Sequence, residues 1–395
     1  MRQEYMKIHR RNIKYKYRRI GVGITVFIAV LSLVLVNLPR AQASQLNKKY
    51  SFIKTNYTVP TSNVAWVAPN GNDTSGNGSE GSPYATFKKA LSSIGSGGTV
   101  VAKSGIYREP HFFISDDNVT IQAAPGAEVW LKGSNVVNSW TSENGIWKTT
   151  GNYHNFCHVC TTNANPSVEG TAAYPEQVFI NDEPLKQVKT KAEVTPGSDT
   201  FYVEDNTPTT LKTPNNNADG YNIGQQDAIS YYIGKNPASG VTEISERARA
   251  FTSTGKNVSV KGINVAQYSP VQVWGFKDPY DPAAERGVYS GPTAVSINGS
   301  GSLVQDMIVT QSASQGLFFN KAESSTARGV KAIDNGGSGV GANKSHNTVF
   351  TNGELYGNNA EGFLTIGCGA YCTMADIKVT HTRNFTFRNN IIDYS

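Results

Sequence analysis

Between Val304 and Thr365 the chain repeats itself every 23 residues without a gap. Aligning the segments that start at Val304, Ala327 and Phe350 places Gly316-Leu317 over Gly339-Val340 and Gly362-Phe363. Val309, Ala332 and Leu355 form a second column, and Ser312, Asn335 and Asn358 a third. Asn320-Lys321 sits over Asn343-Lys344, and one step upstream Thr293 to Ile297 falls on the Gly316 column. A fixed period in the low twenties means one short supersecondary unit stacked on copies of itself. Gly, Asn and Ser recur between short apolar runs such as Val304 to Val309 and Gly316 to Phe319, which suit short strands and tight turns rather than helices. Leucine-rich repeats have a similar length but need leucine at fixed offsets, whereas these columns carry Gly, Asn, Val and Phe. The expected fold class is therefore all-β, a parallel β-helix. Each strand then pairs with its equivalent one coil away, about 4.7 Å distant, and stacked asparagines can hydrogen-bond along the axis.

At 395 residues the chain is long enough for one large domain or two ordinary ones. Its 17% charged residues and 38 glycines suit a turn-rich β protein. The formal charge of +6 comes from one end. Eight basic residues precede Ile20, an apolar run extends from Ile20 to Leu38, and Ala41-Gln42-Ala43-Ser44 follows. A basic region, an apolar region and an A-x-A site in that order make a secretory signal over residues 1 to 43, expected to be cleaved after Ala43. The apolar run is also just long enough to span a bilayer as an uncleaved anchor, which would be the chain's one contact with a membrane. Nine of the 36 basic and one of the 30 acidic residues precede Ser44, so the remainder carries 27 against 29, a net charge of −2. That balance excludes nucleic acid as a partner. The expectation is a secreted or cell-surface monomer.

The four cysteines fall in two tight pairs, Cys157 with Cys160 and Cys368 with Cys372. In an exported chain an even count points to disulfides, either within or between the pairs. His154 and His158 flank the first pair, so a zinc site or a redox pair is the competing reading.

Along the chain, residues 44 to 63 are polar and featureless, a linker by composition. Residues 64 to 134 hold a strand, an NGND loop, the segment SPYATFKKAL and the strand GTVVAKSGIYRE. SPYATFKKAL reads as an amphipathic helix with Phe87, Ala90 and Leu91 on one face, fit to cover the open end of a solenoid. From 135 to 250 the register is lost, and this stretch reads as a β-rich insertion or subdomain. Asn257 to Val265 resumes the coil, which continues through 251 to 395 and stops soon after the strand-like Asn384 to Ile392. A bare last rung leads us to expect further coils in the complete protein.

The order of strand, NGND, helix and GTVVAKSGIYRE strand resembles the amino-terminal coil of secreted right-handed parallel β-helix proteins of the pectate-lyase-like superfamily. YPEQVFINDEPLKQV is similar to a segment found in members of unassigned activity, so the resemblance spans residues 64 to 395. It implies a right-handed coil and activity on polysaccharides.

Equivalent side chains on stacked coils form stripes along the axis, and stripes suit long polymers. Lys321 and Lys344 would repel each other by about 1 kcal/mol even in water, and an acidic polysaccharide would relieve this. Both could equally point into solvent beside Glu323. A second cluster comprises Asn358, Asn359 and Glu361 and, after the loop of Cys368 and Cys372, Asp376-Ile377-Lys378. That loop is an insertion, since Leu355 to Ile392 spans 37 residues where 23 would continue the period. Insertions on one face of a solenoid build binding faces. NNAEGF and ADIKVTHTRN resemble the NN-x-E and G-I-K segments of the same secreted group, with Asp376 standing where glycine is usual.

The resemblance implies lyase or C5-epimerase chemistry on a uronic acid, with a base for the C5 proton and a positive charge beside the carboxylate. Lys378 is the candidate base. Asn359, Glu361 and Asp376 are candidate oxygen ligands for Ca2+, and Lys321, Lys344 and Asn358 are candidate substrate-binding residues. The competing reading pairs Lys378 with Asp376 or Glu361 as a surface ion pair. A glycoside hydrolase on the same fold would draw on Asp334, Glu361, Asp376 or Asp393, but the adjacent aspartates and GHG segment of polygalacturonase-like enzymes are absent. A non-catalytic carbohydrate-binding surface protein would need little more than aromatics such as Trp274 and Phe276.

Overall fold

The computed structural model describes residues 46, 49–154, 156, 175–204, 212–214, 221–223, 228–270, 293–360 and 375–393. The proposed signal segment, Trp274, Phe276, Glu361 and Gly362 lie outside the described residues. So do all four cysteines proposed to form disulfides, Cys157, Cys160, Cys368 and Cys372.

Three parallel sheets wind around one core. The first has eight strands, from Val64–Val67 to Thr386–Arg388; the second has seven, from Gly105–Tyr107 to Ile391–Asp393; the third has six, from Phe112–Ile114 to Ile377–Thr380. Each coil passes through the sheets in that order, and every strand pairs with its counterpart one coil away. The 23-residue columns are these pairings: Val304 opposes Ala327 and Ala327 opposes Phe350, while Val309, Ala332 and Leu355 line up in the second sheet. After Leu355 the offset is 37, as the insertion requires, with Leu355 opposite Ile392.

Alternation decides the core. Val100, Ile121, Val260, Val304, Ala327 and Phe350 stack inward from the first sheet, all at 3% exposure or less. Phe251, Val295, Leu317 and Val340 do so from the third. The turn from first to second sheet is so tight that one residue takes a left-handed backbone, and Asp306, Asn352 and Asn389 occupy it with φ of 51°, 57° and 54°. Asparagine and aspartate tolerate that region better than other non-glycine residues, which explains their recurrence.

The helix expected over the open end forms at Phe87–Ile94, with Thr86 capping it by accepting from the Lys89 amide at 3.1 Å. Phe87 and Ala90 are fully buried and Leu91 packs beside them. Phe87 meets Tyr107 edge-on and stacks on Phe112, which stacks on Phe251, so one aromatic run joins helix to coil.

The second-to-third corner differs from the others. It is short at 108–111, 311–314 and 334–339, but long at 133–250, 267–292 and 357–376. Every large insertion therefore leaves the coil at this corner. The first contains a four-stranded antiparallel sheet, including Val178–Ile180 and Thr242–Ser245, and a five-stranded sheet centred on Ile229–Ile233. Val178, Phe201, Ile229, Tyr231 and Ile244 form its separate core.

The segment read as a linker supplies Leu46 and Tyr50, which pack on Trp130, Ala266, Ile308 and Ile333 on the outer face of the second sheet. The Tyr50 hydroxyl donates to Asp334 at 2.8 Å, and burial together with that carboxylate raises the phenol's pKa. Tyr57 bonds Asp306 in the same way.

Candidate functional site

On the third sheet the residues that point away from the core form one column. Register places Phe113, Thr252, Ser296, Phe318, Gly341 and Lys378 side by side. None of the six strands contains an acidic residue. Phe318 lies down over Gly341, where a Cβ would come within 2.4 Å of the ring and 3.3 Å of the Lys378 carbonyl oxygen. The glycine thus makes room for a flat ring next to the candidate base.

A row of amides and hydroxyls runs beside this column. Asn343 donates to Asn320 at 3.2 Å, and the Thr380 hydroxyl donates to Asn343 at 3.1 Å. Lys321, Lys344 and His381 follow, each left-handed with φ of 58°, 51° and 50°. The two lysines were expected to stack, and His381 extends their column. Lys321 and Lys344 are exposed, as is Arg383 one turn further on.

At the other edge of the sheet, Ser312, Asn335 and Asn358 form the expected ladder. Asn335 donates to Asn358 at 2.9 Å, and Asn358 donates to Asp376 at 2.7 Å. Asn358 also donates to the Ala332 carbonyl, so its amide is committed to holding coils together. Asp376 occupies the column of Gly316 and Gly339, because Val340 pairs with Ile377. The sequence alignment had put Gly362 there, a residue outside the described set.

Among the candidate ligands, Asp376 has one oxygen taken by Asn358, and Asn359 sits at the next corner position with φ of 63°. Two described donors are fewer than the roughly six to eight oxygens that calcium takes. No group of three or more His, Cys, Asp or Glu placed to hold a metal occurs among the described residues. The competing zinc or redox reading of Cys157 and Cys160 falls on residues outside that set.

The root of the first insertion carries features that sequence reading missed. Lys132, on the outer face of the second sheet, has its side chain 2% exposed and bonds Asp182 at 2.6 Å and Glu243 at 2.5 Å; Arg108 also binds Glu243. Two cations and two carboxylates balance, which buried charges require. Two glutamates take opposite register positions nearby. Val178 pairs with Ile244 and the Ser245 amide donates to the Gln177 carbonyl, which puts Glu176 opposite Glu246. Burial raises the Glu246 pKa, and the His154 amide donates to it at 2.9 Å. Asp334, considered for hydrolysis, instead receives Tyr50.

No protein-family model matches the chain, and no curated protein does either. Solved structures do resemble it. The complex of XylC with xylose is 16% identical with a TM-score of 0.55, covering 84% of this chain and 63% of that one. A glycoside hydrolase is 13% identical with a TM-score of 0.48, covering 80% and 77%. Pectate lyase Pel9A is 12% identical with a TM-score of 0.37, covering 78% and 49%. The chain thus spans less than two thirds of the XylC chain. What this likeness shows is the fold: the protein is a parallel β-helix.

Proposed function

We propose that the protein acts on an acidic polysaccharide by removing the C5 proton of a uronic acid, as a lyase or a C5-epimerase. The observation that carries this reading is the convergence of every long second-to-third connection on one corner, next to a sheet face that sets Lys378 in the column of Phe318 and Gly341, with Asp376 two residues before it. Insertions at one edge wall a groove, and stacked coils repeat its floor.

In this reading Phe318 takes the apolar face of a sugar ring and the Asn320/Asn343 row meets its hydroxyls. Lys321 and Lys344 attract the polymer's carboxylates. The Lys378 amine takes the C5 proton, and the electron pair delocalises into the sugar carboxylate. For a lyase, the pair then forms the C4–C5 double bond as the C4–O bond breaks, with the leaving oxygen taking a proton. For an epimerase, a proton returns to C5 from the opposite face. Calcium stays part of the proposal through Asn359, Glu361 and Asp376, but no step above depends on it.

The test is a panel of pectate, alginate and glycosaminoglycan substrates, with and without calcium, monitored for unsaturated products and for inverted C5. Wild type is expected to act, and Lys378→Ala to lose at least a hundredfold in rate. Full activity in Lys378→Ala would remove the base assignment. A second reading, hydrolysis by Glu176 and Glu246 at their opposed register positions, predicts new reducing ends without unsaturation. The XylC and glycoside hydrolase likenesses concern the fold and leave both chemistries available.

The same reading places the protein outside the cell or on its surface. Secreted material is then expected to begin at Ser44, and recovery of intact residues 1 to 43 in membranes would establish the anchor instead. Cys157, Cys160, Cys368 and Cys372 are proposed to be oxidised there; four alkylatable thiols in native protein would reject that.

A further inference from the structure

The outer face of the third sheet has a second aromatic group, at the end away from Lys378. Phe113 is 58% exposed although its strand is firmly held, since its neighbour Phe112 turns inward and stacks between Phe87 and Phe251. The Phe113 ring lies 4.6 Å from the His111 ring, and His111 Nε2 is 3.0 Å from the Thr252 hydroxyl, which fixes the imidazole. Phe113 and Lys378 stand in one column, five coil steps apart through Thr252, Ser296, Phe318 and Gly341, or about 24 Å at ~4.8 Å per step.

That column reads ring, hydroxyl, hydroxyl, ring, bare backbone, amine. Thr252 and Ser296 are themselves buried, at 5% and 8% exposure, so what the column offers a chain of pyranose units is its two rings, which suit the C–H faces of the sugars. Charge is graded along it. The corner beyond the sheet holds Lys321, Lys344 and Arg383 against Glu323 near Lys378, but Asp116 and Asp117 against Lys256 near Phe113. Attraction at the far end therefore comes from stacking rather than charge. A chain lying across the strands would meet one ring; a chain lying along the axis meets both.

We propose that Phe113 with His111 forms a distal sugar-stacking subsite, several units from the one at Lys378, so that the protein favours long chains laid along the coil axis over short oligosaccharides. This rests on the carbohydrate reading above. The test measures binding by titration calorimetry for wild type, Phe113→Ala and Phe113→Trp, using the panel polymer that wild type binds and its oligomers from dimer upward. Wild-type affinity is expected to keep rising until an oligomer spans both rings. Phe113→Ala is expected to lose about tenfold on the polymer and nothing on the dimer, and Phe113→Trp to retain the length dependence. Equal binding by wild type and Phe113→Ala at every length, or an equal loss at every length, would overturn the subsite. If wild type binds no member of the panel, the carbohydrate reading fails first, and the inference falls with it.

Discussion

Glu109 brings its carboxylate to the start of the capping helix, where the Phe87 and Lys88 amides donate to it at 3.1 and 3.3 Å. A helix start favours a negative charge, yet burial dominates and holds this carboxyl at a pKa of about 7 against an ordinary 4.5. The folded protein thus binds the proton more tightly than the unfolded chain. Its stabilising contribution is complete below about pH 4.5 and is lost as the pH rises through 7, by at most roughly 3 kcal/mol. Glu109→Gln is expected to abolish that part of the pH slope and to be more stable than wild type at pH 8. Urea midpoints at pH 5 and pH 8 check this, and parallel slopes in the two proteins would contradict it. Gly341 acts through space alone. Gly341→Leu should lift Phe318 off the sheet, costing about 1–3 kcal/mol and weakening polysaccharide binding, whereas Gly81→Ala, at an exposed glycine with open space for a Cβ in the amino-terminal loop, is the control for binding.

Among the elements, the asparagine ladder shows what the sequence could and could not reveal. Ser312, Asn335 and Asn358 were legible as a column because the 23-residue period is unbroken there, and the bonds between them follow that column. Asn335 is fully buried and also donates to the Val309 carbonyl. Asn335→Leu should therefore lower the unfolding free energy by about 1–3 kcal/mol by orphaning its partners, measured as a drop in urea midpoint without a change in fold by circular dichroism. Lys378, by contrast, was singled out as a candidate by its motif and not by its neighbours. The insertion shifts the offset from 23 to 37, so Phe318 and Gly341 became its column-mates only when the strands paired. Extending the Phe318 column across the inserted residues would have found them.

At the scale of the molecule, the first insertion is fastened to the coil by Lys132, Arg108, Asp182 and Glu243, groups up to 135 residues apart. Lys132→Met would leave Asp182 and Glu243 short of a counter-charge in a dry site. The expected loss is about 3–5 kcal/mol, seen as earlier proteolysis of the insertion than of the coil. Unchanged proteolysis of the insertion would show that its apolar contacts alone hold it.

The repeat period, the strand faces, the helical cap and the stacking of Asn and Lys columns were determined by the sequence itself, because in a parallel coil equivalent residues meet their own copies and local order becomes spatial order. The corner from which the insertions leave, the buried ion cluster, the opposed register of Glu176 and Glu246 and the column that joins Phe113 to Lys378 were decided only by tertiary structure. Those contacts join residues whose separation obeys no period, so only the pairing of the sheets brings them together.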